Sequence, residues 1–404
     1  MANPQAYKHI PALRFPEFQN EGEWEVKRLG EVVEVVNKKC STDLLDIETY
    51  ISTENMLQDY EGIKKASKLP TSGTFTQFQI GDVLFSNIRP YLKKVWQAEF
   101  NGSASNDIIV FRAKSGLNPY YLSQIIKSDS FIAHSMSGAK GVKMPRGDRN
   151  LMLDYLVFMP TFAEQKRIAG CLYSIDNMIS EYNNKLEQLK SHKKGLMQQL
   201  FASINGGGNS LVPRLRFPEF NNTKEWEVKK LGDICTFLDN KRIPLKDSER
   251  AKIHGRYPYY GASGIIDYVN NYIFDGEYIL LSEDGANIIL RNSPLAFIIK
   301  GKCWVNNHAH VLETKAGNNI YYVCHLLESM NYESLNTGTA QPKLNRENCE
   351  KIELPIPSFE EQCKIAESLN SIDNMVISYS DKMTMLQQHK KGLMQQMFPN
   401  DQMN

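Results

Sequence analysis

Two stretches of this 404-residue chain are written twice. Residues 11–30, PALRFPEFQNEGEWEVKRLG, return at 213–232 as PRLRFPEFNNTKEWEVKKLG, identical at 15 of 20 positions. Residues 162–201 return at 359–398 with 23 of 40 identical. The stretches between the copies, 31–161 and 233–358, show no comparable similarity. A duplicated frame therefore holds two different inserts. In a repeat protein the shared part is usually scaffold and the variable part faces the ligand.

The longer copy reads as a helix. Thr161-x-x-Glu164 and Ser358-x-x-Glu361 have the capping-box pattern, each just after a proline, Pro160 and Pro357. The apolar positions that follow alternate in steps of four and three. The first seam is Ile168, Leu172, Ile175, Ile179, Tyr182, Leu186, Leu189, Leu196 and Leu200. The second is Ile365, Leu369, Ile372, Val376, Tyr379, Met383, Leu386, Leu393 and Met397. That is a heptad, which needs a partner along its whole length. Each helix would be roughly 60 Å long at 1.5 Å per residue, and its natural partner is its own copy. Lys193 and Lys390 interrupt the two seams at the same place, as a register device or a frayed end. A pseudo-twofold arrangement lays the helices antiparallel, with the inserts at opposite ends; a parallel pair fits the pattern too.

The inserts read as small mixed sheets with a short helix each, so the fold class is α+β. Asp82–Ser86, Asp107–Phe111, Glu277–Leu281 and Leu295–Ile299 are strand-like runs between Gly, Asn and Pro. Pro119–Ser128 and Asn319–Met330 are helical. The composition, 42% hydrophobic and 23% charged, is that of a globular protein. No apolar run is long enough to span a bilayer, and the N-terminus lacks a signal-peptide layout. Seven scattered cysteines without a CxxC fit a reducing compartment. The expected location is the cytoplasm. A net charge of +1 means that any nucleic-acid surface must be local.

A search for catalytic machinery finds little. There is no P-loop, G-x-S-x-G or HExxH motif. Asn118-Pro-Tyr-Tyr121 resembles the target-amine tetrapeptide of amino-methyltransferases, but it opens an amphipathic helix and no cofactor loop precedes it. Cys303, His308, His310, Cys324 and His325 match no zinc spacing, so no metal site is expected. Gly261–Gly264 is glycine-rich but lacks the Lys-Ser/Thr ending of a phosphate loop, and Glu283-Asp284 alone does not make an acid–base pair. A chain of this kind binds, while another does chemistry.

The binding features are cations and amides on loops, which suit phosphates and base edges. The first insert offers Asn87, Arg89, Tyr91, Lys93 and Lys94, then a glycine-rich basic loop with Lys140, Lys143 and Arg146. The second offers Asn287, Arg291, Asn306, Asn307 and His308, then Gln341, Lys343, Asn345 and Arg346 at the equivalent place before the long helix. The recurrence carries more weight than any single residue.

Over nearly its full length the chain resembles the specificity subunit of type I restriction-modification enzymes. The resemblance rests on Trp-Glu-Val-Lys-x-Leu-Gly at 24–30 and 226–232, and on Gly81-Asp82-Val-Leu-Phe-Ser-Asn-Ile-Arg89-Pro. It rests also on Asp284-Gly-Ala-Asn287 followed by Trp304–His310, and on the closing Pro-x-Phe-x-Glu-Gln-x-x-Ile signature that ends in Lys-Lys-Gly-Leu-Met-Gln-Gln. It implies two target recognition domains (1–160 and 213–357), two spacer helices (161–203 and 358–398), a flexible linker (204–212) and a tail (399–404). Each recognition domain would read one half of a bipartite asymmetric site in double-stranded DNA, with the helices as a ruler for the spacer. One duplex turn is about 34 Å. Two methyltransferase subunits and two restriction/translocase subunits are the implied partners. S-adenosylmethionine, ATP and Mg are expected on those partners and not on this chain, which would be non-catalytic. The rival readings are a stand-alone adenine methyltransferase and a coiled-coil scaffold that makes no DNA contact.

Overall fold

The computed structural model describes residues 9–203, 211–338 and 341–399. Most of the predicted linker (204–210) and of the tail (400–404) lie outside the described residues. The chain forms two compact units. One comprises residues up to Asn184 together with those from Ser380 onward, and the other is Lys185–Tyr379.

The two heptad segments fold as helices of 39 residues each, Phe162–Leu200 and Phe359–Met397. In the first unit the start of the first long helix (Ile168, Ala169, Leu172) shares a core with the end of the second (Leu393, Met394, Met397). In the second unit the roles exchange, with Leu196, Met197 and Leu200 against Ile365, Ala366 and Leu369. The pair is therefore antiparallel. The seam positions Ile179 and Tyr182 in the first unit, and Val376 and Tyr379 in the second, are only half-buried.

The lysines that break the seams are ion-paired across it. Lys193 Nζ sits 2.6 and 2.8 Å from the carboxylate oxygens of Asp373, and Lys390 Nζ at the same distances from those of Asp176. A charged pair tolerates only one helix offset, which makes the register reading the better of the two.

The helix starts differ from the capping-box expectation in one half. The backbone N–H groups of Glu164 and Glu361 do donate to the hydroxyls of Thr161 and Ser358. The glutamate side chains, however, do not fold back. Both are buried, and each takes two 2.8 Å hydrogen bonds from an arginine of the other copied segment, Arg14 for Glu164 and Arg216 for Glu361. A buried carboxylate gains more from a forked guanidinium than from one backbone N–H. The neighbouring glutamines accept from the N-caps of the short helices, Gln165 from Asn118 N and Gln362 from Asn319 N. The two copied segments thus recur together because one clamps the other.

The WEVKxLG segments also grip the helix starts. Glu25–Arg28 pairs antiparallel with Leu156–Met159, and Glu227–Lys230 with Glu353–Ile356. Trp24, Leu29, Trp226 and Leu231 are buried beneath these ribbons.

The dissimilar inserts contain the same sheet. In the first unit the strand order is Val33–Val35, Ile108–Ala113, Val83–Ser86, Val95–Gln97, all antiparallel. In the second it is Cys235–Phe237, Ala309–Thr314, Phe274–Ser282, Ala296–Val305, likewise antiparallel. Each sheet is covered by the helix read from sequence, Pro119–Ile126 or Ile320–Ser329, whose N-cap asparagine accepts two backbone N–H bonds. Asn118-Pro-Tyr-Tyr121 is thus a helix start. What differs is the addition. The first unit carries a separate four-stranded sheet (Lys39–Ser41, Thr74–Phe78, Gly102–Ala104, Tyr50–Ile51). The second extends its main sheet by a hairpin, His254–Gly261 with Gly264–Val269.

Candidate nucleic-acid interface

In both units one place gathers the polar loops, the end of the central strand. In the first unit the chain leaves Val83–Ser86 and meets the glycine-rich loop. Arg89 N donates to Pro145 O (2.8 Å), Gly147 N donates to Asn87 O (3.2 Å), and Lys140 and Arg146 exchange two bonds of 2.9 Å. This joins Asn87, Arg89 and Tyr91 to Lys140, Lys143 and Arg146. Arg89 and Lys93 hold left-handed backbone (φ 51° and 52°) on either side of the turn Pro90–Leu92, a conformation that costs a non-glycine residue free energy. Asn87 Oδ1 and Arg89 Nε are buried with no hydrogen-bond partner among the described residues. Buried polar atoms without partners are uncommon.

The cations here fall into two sets. Lys140 and Lys143 are exposed and form no ion pair among the described residues. Arg146 is tied to Asp107 (2.8 Å), and Lys93 to Asp129 (2.7 Å), whose carboxyl is held below its usual pKa chiefly by that hydrogen bond. Lys94 reaches Thr53 O (2.7 Å), and burial lowers its pKa. The first set is available to phosphates; Lys93 and Lys94 fix the loop, while Arg146 is braced by Asp107 with its guanidinium still exposed.

The second unit repeats the join. Glu283 and Asp284 follow the central strand, Gly285 N donates to Pro342 O (3.0 Å), and Leu344 N donates to Glu283 O (2.7 Å). His308 lies 2.9 Å from Asp284, and Lys343 Nζ lies 3.4 Å from Glu283. Gln341, Lys343, Asn306, Asn307 and His308 therefore gather here, with Gln341 and Asn307 exposed. The remaining predicted residues are engaged within the chain. Asn287 makes two bonds to the backbone of Ser293, and Arg291 pairs with Glu328. Asn345 caps the helix Arg346–Glu350, and Arg346 bonds Glu350 (2.7 Å) while lying over Phe237. Pro145-Arg146 and Pro342-Lys343 occupy the same place in the two joins, ahead of the helix caps Asp148 and Asn345.

Residues 21–191 and 223–382 match the family described as the type I restriction modification DNA specificity domain. The chain belongs to that family. Among specificity-family relatives, the MjaVIII specificity subunit of Methanocaldococcus jannaschii is 25% identical, over 96% of this chain and 94% of the relative. A Haemophilus influenzae protein assigned as such a subunit is 36% identical, over 37% of each chain. The solved S subunit of the type I system from M. genitalium shares the fold, with TM-score 0.66, 16% identity, and coverage of 97% of this chain and 99% of that one.

One trio in this specificity chain, Asp239, Glu283 and His310, has the composition of a metal site. Its ligand atoms are already engaged. His310 Nδ1 is 2.7 Å from Asp239 and Nε2 is 2.9 Å from Leu344 O, while Arg242 bridges Glu283 (2.7 Å) and Asp239 (3.6 Å). A ring with acceptors at both nitrogens is an imidazolium. Burial, the largest single effect, lowers its pKa, but the hydrogen bonds and charges of Asp239 and Cys349 together outweigh it and His310 is pushed up to about 10. The knot holds Leu344 and Glu283, the two sides of the join. Sequence reading missed it because Asp239 and Arg242 lie some 70 residues away from His310. Among the described residues no helix is long and apolar enough to cross a membrane.

Proposed function

We propose that the chain is the DNA-reading, non-catalytic subunit of a type I restriction-modification complex. In this scheme residues 1–160 and 213–357 are recognition domains, each contacting one half of an asymmetric bipartite site in double-stranded DNA. The first uses Asn87, Arg89, Tyr91, Lys140, Lys143 and Arg146. The second uses Asn307, His308, Gln341 and Lys343, with Asn306 buried beneath them and its Oδ1 accepting from His308 N. Lys93, Lys94, Asn287, Arg291, Asn345 and Arg346 support those loops rather than leading the contact. The paired helices set the spacer, and two methyltransferase and two restriction/translocase subunits dock on the duplicated frame. S-adenosylmethionine, ATP and Mg belong to those partners, and the assembly works in the bacterial cytoplasm.

The observation that carries this reading is the recurrence of one join in two otherwise unlike inserts. Each presents exposed cations at the end of its central strand; the second adds the exposed amides Asn307 and Gln341, and the first the buried, unpartnered Asn87 Oδ1 and Arg89 Nε. Cations neutralise phosphates without regard to sequence, while amides and guanidinium forks discriminate base edges. The stand-alone methyltransferase and the DNA-free scaffold are not favoured, because the family match spans both inserts. Selection from a random-sequence DNA library by the assembled complex tests the reading. Enrichment of a two-part motif is expected, and equal retention of all sequences would refute it.

A further inference from the structure

We infer that the tip of the second unit's hairpin, carrying Ile265 and Ile266, is a further DNA-reading element that recognises thymine methyl groups in the major groove. This rests on the DNA-reading assignment above. The hairpin lies on the edge of the six-stranded sheet, joined to it by the parallel pairs Tyr259–Trp304 and Tyr260–Val305. Its tip abuts the join. Ser282 Oγ donates to Ala262 O (2.6 Å) and Asn306 N donates to Tyr260 O (3.0 Å). The next residues in each case, Glu283 and Asn307-His308, are the gathered ones.

The tip is unusual for a sheet edge. Successive strand residues face opposite sides, yet Ile265 and Ile266 are 47% and 53% exposed, with Tyr268 also bare. Natural edges are normally blunted by charge, proline or a cover; here the helix Asp247–Arg250 reaches the strand at Asp267, through Arg250, and leaves Ile265 and Ile266 bare. The ribbon stays narrow where it turns. Gly264 has φ +137°, and a Cβ on Gly261 would lie 3.2 Å from Ile266 Cγ2. A two-stranded ribbon fits the roughly 12 Å major groove.

Charge fits the same ligand. The base of the ribbon is cationic and aromatic, with Arg256 over Tyr257, Lys302 over Tyr272, and those two rings 5.2 Å apart. The hairpin's one acid, Asp267, is bonded to Arg250 at 2.8 Å. Isoleucine offers a base edge no hydrogen bond, and the apolar feature of the major groove is the thymine C5-methyl. The first unit's main sheet carries no such hairpin among its described residues.

The test uses the assembled complex and its target as found from the methylome. Each thymine of the second unit's half-site, on either strand, is replaced by deoxyuridine, which removes only the methyl. At one or two positions wild-type affinity should fall about three- to tenfold, and the Ile265→Ser/Ile266→Ser variant should bind thymine and uracil targets equally. Wild-type binding indifferent to every replacement, or a half-site without thymine, overturns the inference and leaves the DNA-reading assignment intact. Loss of self-association in the variant with unchanged DNA binding overturns it in favour of edge pairing between copies. Absence of any sequence-specific binding overturns the proposed function itself.

Discussion

The two units are alike where they hold themselves together and in the backbone join at the end of the central strand, and unlike in the side chains and added elements around that join. Each has the same four-stranded order, the same WEVKxLG ribbon, a buried Arg–Glu clamp and a Lys–Asp pair between long helices. One unit then adds a separate small sheet with its own core around Cys40, Tyr50 and Phe75, and the other adds an edge hairpin. At one equivalent sheet position the first unit places Ile109, paired with Phe85, and the second places His310, paired with Leu281. Framework and reader are therefore separable: the frame fixes where the central strand ends, and the loops beyond it are free to differ.

The largest effect expected from breaking this likeness comes from the clamps. Arg14→Ala or Arg216→Ala leaves a buried glutamate without its partner, which costs about 3–5 kcal/mol. Hydrogen exchange should show lost protection in the unit that carries the change and little in the other. Equal loss in both would mean that the units do not hold themselves together separately.

The next expectation is a pH difference. His310 has a raised folded pKa, so its contribution is fully present below the unfolded imidazole value of about 6.5. It is lost as pH rises toward about 10. The second unit's thermal transition should fall over that window in wild type and lose that component in His310→Gln. Ile109 gives the first unit no such slope. An unchanged slope in the variant would assign the pH effect elsewhere.

Smaller effects should follow from the helix pair. Lys193→Asp or Asp373→Lys alone should destabilise by about 1–2 kcal/mol, with the double exchange recovering most of it. The same holds for Lys390 and Asp176. Thermal melts of the singles and the double check this, and a double that is no better than the singles would remove the register role.

The mildest changes should be in DNA choice. Lys140→Ala or Lys143→Ala should weaken binding to all sequences and reduce the salt slope by about 1. Gln341→Ala should relax preference at the second half-site alone. Asn345→Ala is expected to act through its helix, because the side chain is the cap, at about 0.5–2 kcal/mol of stability. Titrations at several salt concentrations separate these cases.

What the sequence discloses depends on how local the cause is. The heptads, the helix start at Asn118, the helical segment from Asn319 and the glycine-rich basic loop with Lys140, Lys143 and Arg146 are local patterns, and each is readable. The glutamates at 164 and 361 were misread as capping side chains because their arginine partners lie 150 and 145 residues away. Arg291 is claimed by Glu328, 37 residues on, and Asn287 by the backbone of Ser293, which only the fold of the short helix Asn287–Leu290 and its turn brings back to it. The shared sheet escaped notice because a buried strand asks only for apolar, β-compatible side chains, which unlike sequences supply equally well. The hairpin's bare tip needed the strand order, which no run of residues displays.

Two unlike readers thus stand on one duplicated frame. The most direct test is the methylome of cells that express this chain with its partner subunits. The account predicts adenine methylation at an asymmetric two-part motif with a fixed spacer, and one half should relax when Gln341 is replaced. A single contiguous or palindromic motif, or methylation that does not depend on this chain, would contradict it.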